Sequence, residues 1–241
     1  MRNNKPFLTF GRFFPRQVLA LVSDRSMDFA RSNASPEAIQ KRTVFYKEHL
    51  GIGPDKIFDI KQVHGDTVIP VKRTNLHLGR GTQEADGSFT GEFGIPLAVR
   101  TADCLSVFIF DPSHNVIGLV HAGWRGTKEG IVKKAIDKMK EEWRSVPQEL
   151  KVAFGPCIRP CCYQVGREFK DFFPKETMVK KNGLHLDLPL ANKHQLLESG
   201  LTDSNIFDCA ICTCCDDRFF SHRREGEKSG RMISVMMIKP S

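Results

Sequence analysis

The chain has 241 residues, 40% hydrophobic and 27% charged, a balance that belongs to a globular protein rather than a disordered one. No run approaches the roughly 18–20 apolar residues of a membrane span. The stretch from Met1 to Arg16 also lacks the apolar core of a secretion signal. A cytoplasmic protein folded as one domain over residues 1–241 is therefore expected, with no membrane partner. The formal net charge of +8 suits an anionic co-substrate such as phosphate or plain solubility, because the lysines of Lys133–Lys140 read as the wet face of a helix. No basic stretch is interleaved with aromatic residues, so nucleic acid is not an expected partner.

In chain order, residues 36–50 predict a helix, with Ser35 as its cap, Pro36 in its first turn and Gly51 past its end. Lys56–Val63 reads as a strand that ends at His64-Gly65-Asp66, and Val68–Val71 as a shorter one. Leu105–Phe110 and Val116–Val120 are apolar runs of strand type. Between them, Asp111-Pro112-Ser113-His114 suits a type I turn. Gly123 and Gly126 lead into an expected amphipathic helix over Thr127–Val146, where Ile131, Ala135, Ile136, Met139, Trp143 and Val146 recur at helical spacing. A strand at Leu150–Phe154, a Gly155-Pro156 break, and helices at Gly166–Phe173 and Leu190–Ser199 follow. A cysteine-rich strand at Ile206–Thr213 and a last strand at Arg231–Ile238 complete the chain. Strands and helices do not alternate strictly, and no G-x-G-x-x-G or P-loop is present. The expected architecture is α/β with mixed sheets and helices packed outside, not a nucleotide-binding Rossmann fold.

The hairpin has a chemical consequence. If Asp111 faces His114 across the turn, Cys104 faces His121 directly, with Cβ atoms about 4.5–5.5 Å apart on one face. A thiolate and an imidazole so placed can share a metal or act as nucleophile and base. His64, at the end of its own strand and followed by Gly65, is the best third ligand. Two His and one Cys with an open position are a catalytic zinc set, and copper accepts the same donors. The competing reading is two hydrogen-bonded loop histidines and a small core thiol.

The other seven cysteines form two groups, Cys157, Cys161 and Cys162, then Cys209, Cys212, Cys214 and Cys215. Their spacings do not make the paired C-x-x-C pattern of a zinc ribbon. They are expected to be small buried or oxidation-prone thiols that bind no second metal.

Several segments together resemble one family: Gln62-Val-His-Gly65, Ala85-Asp-Gly87, Thr101-Ala-Asp-Cys-Leu105, His121-Ala-Gly-Trp-Arg-Gly-Thr127, Gly155-Pro-Cys-Ile158, Cys162-Tyr-Gln-Val-Gly166, Cys212-Thr213, Phe220-Ser-His-Arg-Arg224 and Gly230-Arg231. The family is that of the YfiH-type and laccase-domain proteins, once called multicopper polyphenol oxidases and now regarded as purine nucleoside phosphorylases. The resemblance covers about residues 56–238. It implies a zinc site made by His64, Cys104 and His121, the same three residues reached from spacing. It also implies phosphorolysis of adenosine, inosine, guanosine and methylthioadenosine, with some adenosine deamination, and a layered sandwich similar to the catalytic domain of cytotoxic necrotizing factor. The chain departs from the family in three places. Asp24–Ser35 is short and lacks the usual glycines, Gln164 stands where Glu is frequent, and Arg159 where Gly is usual.

For phosphorolysis, Arg125, Arg223 and Arg224 are candidates to hold phosphate, and Gln62 and Asp103 are further candidates on the substrate side. Asp103 could also orient a metal-bound His. The rival readings are a Cys/His hydrolase or copper-dependent polyphenol oxidase, and a binding or assembly factor without turnover. A monomer or weak homodimer is expected.

Overall fold

The computed structural model describes residues 5–240. The chain opens with β1 (Phe7–Thr9) and β2 (Val18–Ser23), then α1 (Pro36–Phe45), whose first turn is closed by the Ser35 hydroxyl accepting from the Ala38 N–H. The helix widens after Phe45: Tyr46–Leu50 form a π turn, and Gly51 ends it in the left-handed conformation that a side chain would disfavour. Next come β3 (Phe58–Lys61), β4 (Val68–Pro70), β5 (Arg80–Glu84), β6 (Gly87–Thr90) and β7 (Leu97–Thr101). The hairpin strands are β8 (Leu105–Asp111) and β9 (Val116–Ala122).

The expected helix over Thr127–Val146 is two helices, α2 (Trp124–Lys128) and α3 (Ile131–Trp143), because Gly130 turns left-handed between them. After β10 (Lys151–Phe154) and β11 (Gln164–Val165), residues Arg167–Asp171 make only a short 3-10 turn in place of the expected helix. Then follow β12 (Met178–Lys181), β13 (Gly183–Leu186) and α4 (Leu188–Glu198), capped by the Asp187 carboxylate on the Leu190 N–H. The cysteine-rich strand is short: β14 covers Ile206–Asp208, and Cys209–Cys215 run as turns joined to the chain by a bridge between Cys212 and Cys157. The chain ends with α5 (His222–Glu225) and β15 (Met232–Ile238).

Two six-stranded sheets, β1-β2-β15-β7-β3-β5 and β14-β10-β8-β9-β6-β4, lie face to face, and β11-β13-β12 form a small third sheet. Both large sheets mix parallel and antiparallel neighbours. Their shared core follows strand alternation: Ala20, Val22, Leu97, Val99 and Met236 of the first meet Phe108, Phe110, Ile117 and Leu119 of the second. The outer face of the second sheet packs Val107, Ile109 and Val120 on Ile136 and Met139 of α3 and Leu196 of α4. The outer face of the first packs Leu21, Ala98 and Val235 on Phe45 and Tyr46. Strands buried on both faces must be apolar at every position, which is why Leu105–Phe110 reads as an unbroken run. Helix, sheet, sheet and helix stack in four layers. Among the described residues no helix is long and apolar enough to cross a membrane.

Candidate functional site

The β8–β9 hairpin closes two residues later than the turn residues suggest. Asp111 pairs with Val116, and Ser106 with His121. The loop is held by the Asp111 carboxylate, which accepts from the N–H groups of Ser113 (2.8 Å) and His114 (3.2 Å), and Asn115 takes a positive φ of 52°, a conformation Asn tolerates. A shift of two residues preserves the face of every side chain. Cys104 and His121 therefore still project to the same side, diagonal rather than directly opposed. The place across from Cys104 falls to Gly123, where a Cβ would lie 3.1 Å from the Cys104 sulfur and 3.4 Å from Cδ2 of His64.

The face they share looks toward the first sheet, and from there comes the third residue. His64 follows β3, and its own φ is 59°, a left-handed conformation that strains a residue with a Cβ. Asp86 holds the turn in place. Its carboxylate accepts from the N–H of Val63 (3.1 Å), His64 (3.0 Å) and Gly65 (2.7 Å). The same buried carboxylate lies 2.7 Å from Nδ1 of His121. One side chain thus fixes both imidazoles, the first through its backbone and the second through its ring. Gly126 completes the support, because a Cβ there would stand 2.6 Å from the Gly65 carbonyl oxygen. Both glycines of the His121–Thr127 segment are small for packing reasons at this site.

One nitrogen of each of His64 and His121 and the Cys104 sulfur lie within 4.8 Å of one another, and the two rings meet edge to face at 4.9 Å between centroids. Burial alone would raise the Cys104 thiol. The charge of His121 and hydrogen bonds from His121 and His64 outweigh it and bring it down to about 6. Burial would lower His121, but the Cys104 thiolate and the Asp86 carboxylate push it up to about 9. A thiolate and a nitrogen donor pair, with the second ring nitrogen of His121 held by a carboxylate, is the donor chemistry that suits zinc or another borderline metal.

The three donors open into a cleft of about 940 Å³ lined by strand ends and the loops that follow them. Gln62, Asp103, Arg125 and Arg223 line it, whereas Arg224 does not. Arg224 spends its guanidinium on the carbonyls of Thr213, Cys214 and Phe219 and on Glu225. Arg125 stacks on the Trp124 ring at 4.6 Å. Arg223 reaches the carbonyls of Cys162 (3.2 Å) and Gln164 (2.9 Å) and lies over Tyr163. Gln62 pairs its amide with the backbone N–H and carbonyl of Arg100. Asp103 does not orient a histidine: it accepts from the Thr213 hydroxyl and the Arg223 N–H, each at 2.6 Å. The orienting carboxylate is Asp86, which sequence reasoning passed over although Ala85-Asp-Gly87 was in view. Tyr163, Arg31 and Arg231 also line the cleft and were missed, being distant in sequence from the three donors. Arg31 falls in the short Asp24–Ser35 segment, so that departure borders the cleft itself.

Spacing did not show which of the remaining thiols come together. The sulfurs of Cys161, Cys162, Cys212 and Cys215 gather within 4.8 Å of one another.

A profile of the family described as multi-copper polyphenol oxidoreductase laccase matches residues 24–239. Purine nucleoside phosphorylase YlmD of Geobacillus stearothermophilus is 35% identical over 194 residues, covering 73% of this chain and 70% of that protein. Adenosine deaminase RL5, from an unknown prokaryotic organism, is 32% identical over 205 residues, 79% of this chain and 78% of its own. The crystal structure of the Geobacillus YlmD superimposes with a TM-score of 0.88 at 28% identity, over 100% of this chain and 98% of that one. The chain belongs to the multi-copper polyphenol oxidoreductase laccase family, the laccase-like family of YfiH and YlmD.

Proposed function

We propose that this chain is a single-domain, metal-dependent purine nucleoside phosphorylase, acting on adenosine, inosine, guanosine or methylthioadenosine, with adenosine deamination as a side reaction. The observation that carries the reading is the convergence of His64, Cys104 and His121 at the floor of a cleft lined by arginines. The names of the relatives point the same way. His64, Cys104 and His121 would hold the metal, zinc by preference, which supplies Lewis-acid polarisation of an oxygen.

Phosphorolysis forms a bond from a phosphate oxygen to the anomeric carbon and breaks the glycosidic bond, whose electron pair leaves with the protonated purine. Arg125 suits the phosphate, since among the described residues its guanidinium lies over the Trp124 ring and enters no ion pair, and a planar guanidinium pairs with phosphate through two oxygens. Arg223 faces the same cleft with part of its donors spent on backbone carbonyls. Tyr163 and Trp124 offer aromatic surface to a purine. Asp86 holds the His121 ring so that its other nitrogen faces Cys104. The test is incubation of the four nucleosides with purified protein, with and without phosphate and zinc, and chromatography of free base and ribose 1-phosphate. Phosphate-dependent release of base supports the reading; nucleosides left intact with zinc and phosphate both present overturn it.

A second reading rests on the Cys104–His121–Asp86 line, which also fits a thiolate nucleophile with an oriented base. Loss of activity on stripping the metal favours the first reading, and activity retained by metal-free protein favours the second.

A further inference from the structure

We propose that Cys161, Cys162, Cys212 and Cys215 form a second metal site, a mononuclear four-thiolate site for zinc that staples the wall of the cleft.

The four residues come from two turns that the fold brings together. Cys162 and Tyr163 donate their N–H groups to the Arg159 carbonyl, making the first turn. Asp216 donates to the Cys212 carbonyl, making the second. The isolated bridge between Cys157 and Cys212, with the Thr213 N–H on the Cys157 carbonyl at 3.0 Å, sets the turns side by side. Cys215 then lies 3.2 Å from Cys162 and 3.6 Å from Cys161, sulfur to sulfur, and all four sulfurs fall within 4.8 Å of one another.

That spacing matches one small ion. Four sulfurs at the zinc–thiolate distance of about 2.3 Å around a tetrahedron stand roughly 3.8 Å apart, inside the observed range. The set is too compact for a multi-iron cluster, whose cysteines bind different irons. Cys212 and Cys215 stand as C-x-x-C, and the N–H groups of Cys215, Arg159 and Cys214 are directed at the Cys212 sulfur. Soft, all-sulfur surroundings select zinc over hard cations. Four ligands leave no open position, so this site is closed, unlike the three-donor site in the cleft.

The staple has a clear target. Directly after Cys162 come Tyr163, Gln164 and Val165, all lining the cleft. Between Cys212 and Cys215 lies Thr213, whose hydroxyl donates to Asp103. A metal joining the two turns therefore ties one cleft wall to the loop that carries Cys104.

The test uses the full chain, stripped by chelator under reducing conditions and titrated with cobalt(II) as a spectroscopic stand-in and with zinc. Wild-type protein should take up two equivalents, one of them showing the intense sulfur-to-cobalt charge-transfer bands of four thiolates. Cys104→Ala should lose one equivalent and keep those bands. Cys215→Ser and Cys161→Ser should each lose the bands and one equivalent. The wild-type stoichiometry and spectrum decide the matter even where a variant folds poorly. A single equivalent in the wild type, lost in Cys104→Ala, would overturn the proposal. So would a Cys162–Cys215 disulfide, two hydrogens lighter by mass, persisting in protein kept reduced without metal uptake. Neither outcome depends on whether nucleosides are turned over.

Discussion

The buried Asp86 carboxylate lies 2.7 Å from Nδ1 of His121 and also takes the N–H groups of Val63, His64 and Gly65. It thereby joins the two sheets at the point where their histidines meet. Replacing it should act on both imidazoles at once. Asp86→Asn should weaken zinc binding at the His64, Cys104 and His121 site by about 10–100-fold, measured by competition with a chromophoric chelator. Asp103→Asn, whose carboxylate serves Thr213 and Arg223 instead, should leave that affinity within a few-fold.

In metal-free protein the Cys104 thiolate should already be present near neutrality. Its thiol is held down to about 6 while His121 stays protonated up to about 9. Only the thiolate reacts with iodoacetamide. The rate at Cys104, followed by peptide mass spectrometry among the eight thiols, should therefore rise with pH through about 6 and level off from pH 7 to 9. Zinc should suppress it. A midpoint at the ordinary thiol value of about 8.5 would contradict the ion pair.

Two glycine substitutions separate packing from ligation. In Gly126→Ala the new methyl would stand 2.6 Å from the Gly65 carbonyl oxygen, so backbone must move, at a cost of about 1–3 kcal/mol. In Gly123→Ala the methyl would meet the Cys104 sulfur at 3.1 Å, a contact relieved by a shift of the ligand. Gly123→Ala should thus lower metal affinity with a smaller drop in melting temperature than Gly126→Ala.

The hairpin loop predicts an acid limit. Burial would raise the Asp111 carboxyl, but hydrogen bonds from the Ser145 hydroxyl, the His114 ring and the N–H groups of His114 and Ser113 hold it below its ordinary value. A depressed carboxylate contributes stability above its unfolded pKa of about 3.9 and loses it as pH falls through the lower folded value. Urea unfolding of wild type and Asp111→Ala should differ by about 1–3 kcal/mol at pH 7. That gap should narrow below about pH 4. An equal gap at pH 7 and pH 3 would show that the loop is held by something else.

Much of this protein was written along the chain. The apolar runs at Leu105–Phe110 and Val116–Val120 specify strands buried on both faces, and Ser35-Pro36 and Gly51 mark a helix by local capping chemistry. Cys104 and His121 share a face because strand alternation has a period of two, and even a two-residue error in the turn left that intact. What short-range pattern could not contain was contact between distant segments. Asp86 meets His121 only because β6 lies beside β9. The four thiols, split between Cys161–Cys162 and Cys212–Cys215, meet only because one bridge at Cys157 sets two turns together. Local propensity is decided by neighbours within a few residues; a ligand set is decided by which strand ends the packed sheets leave facing one another.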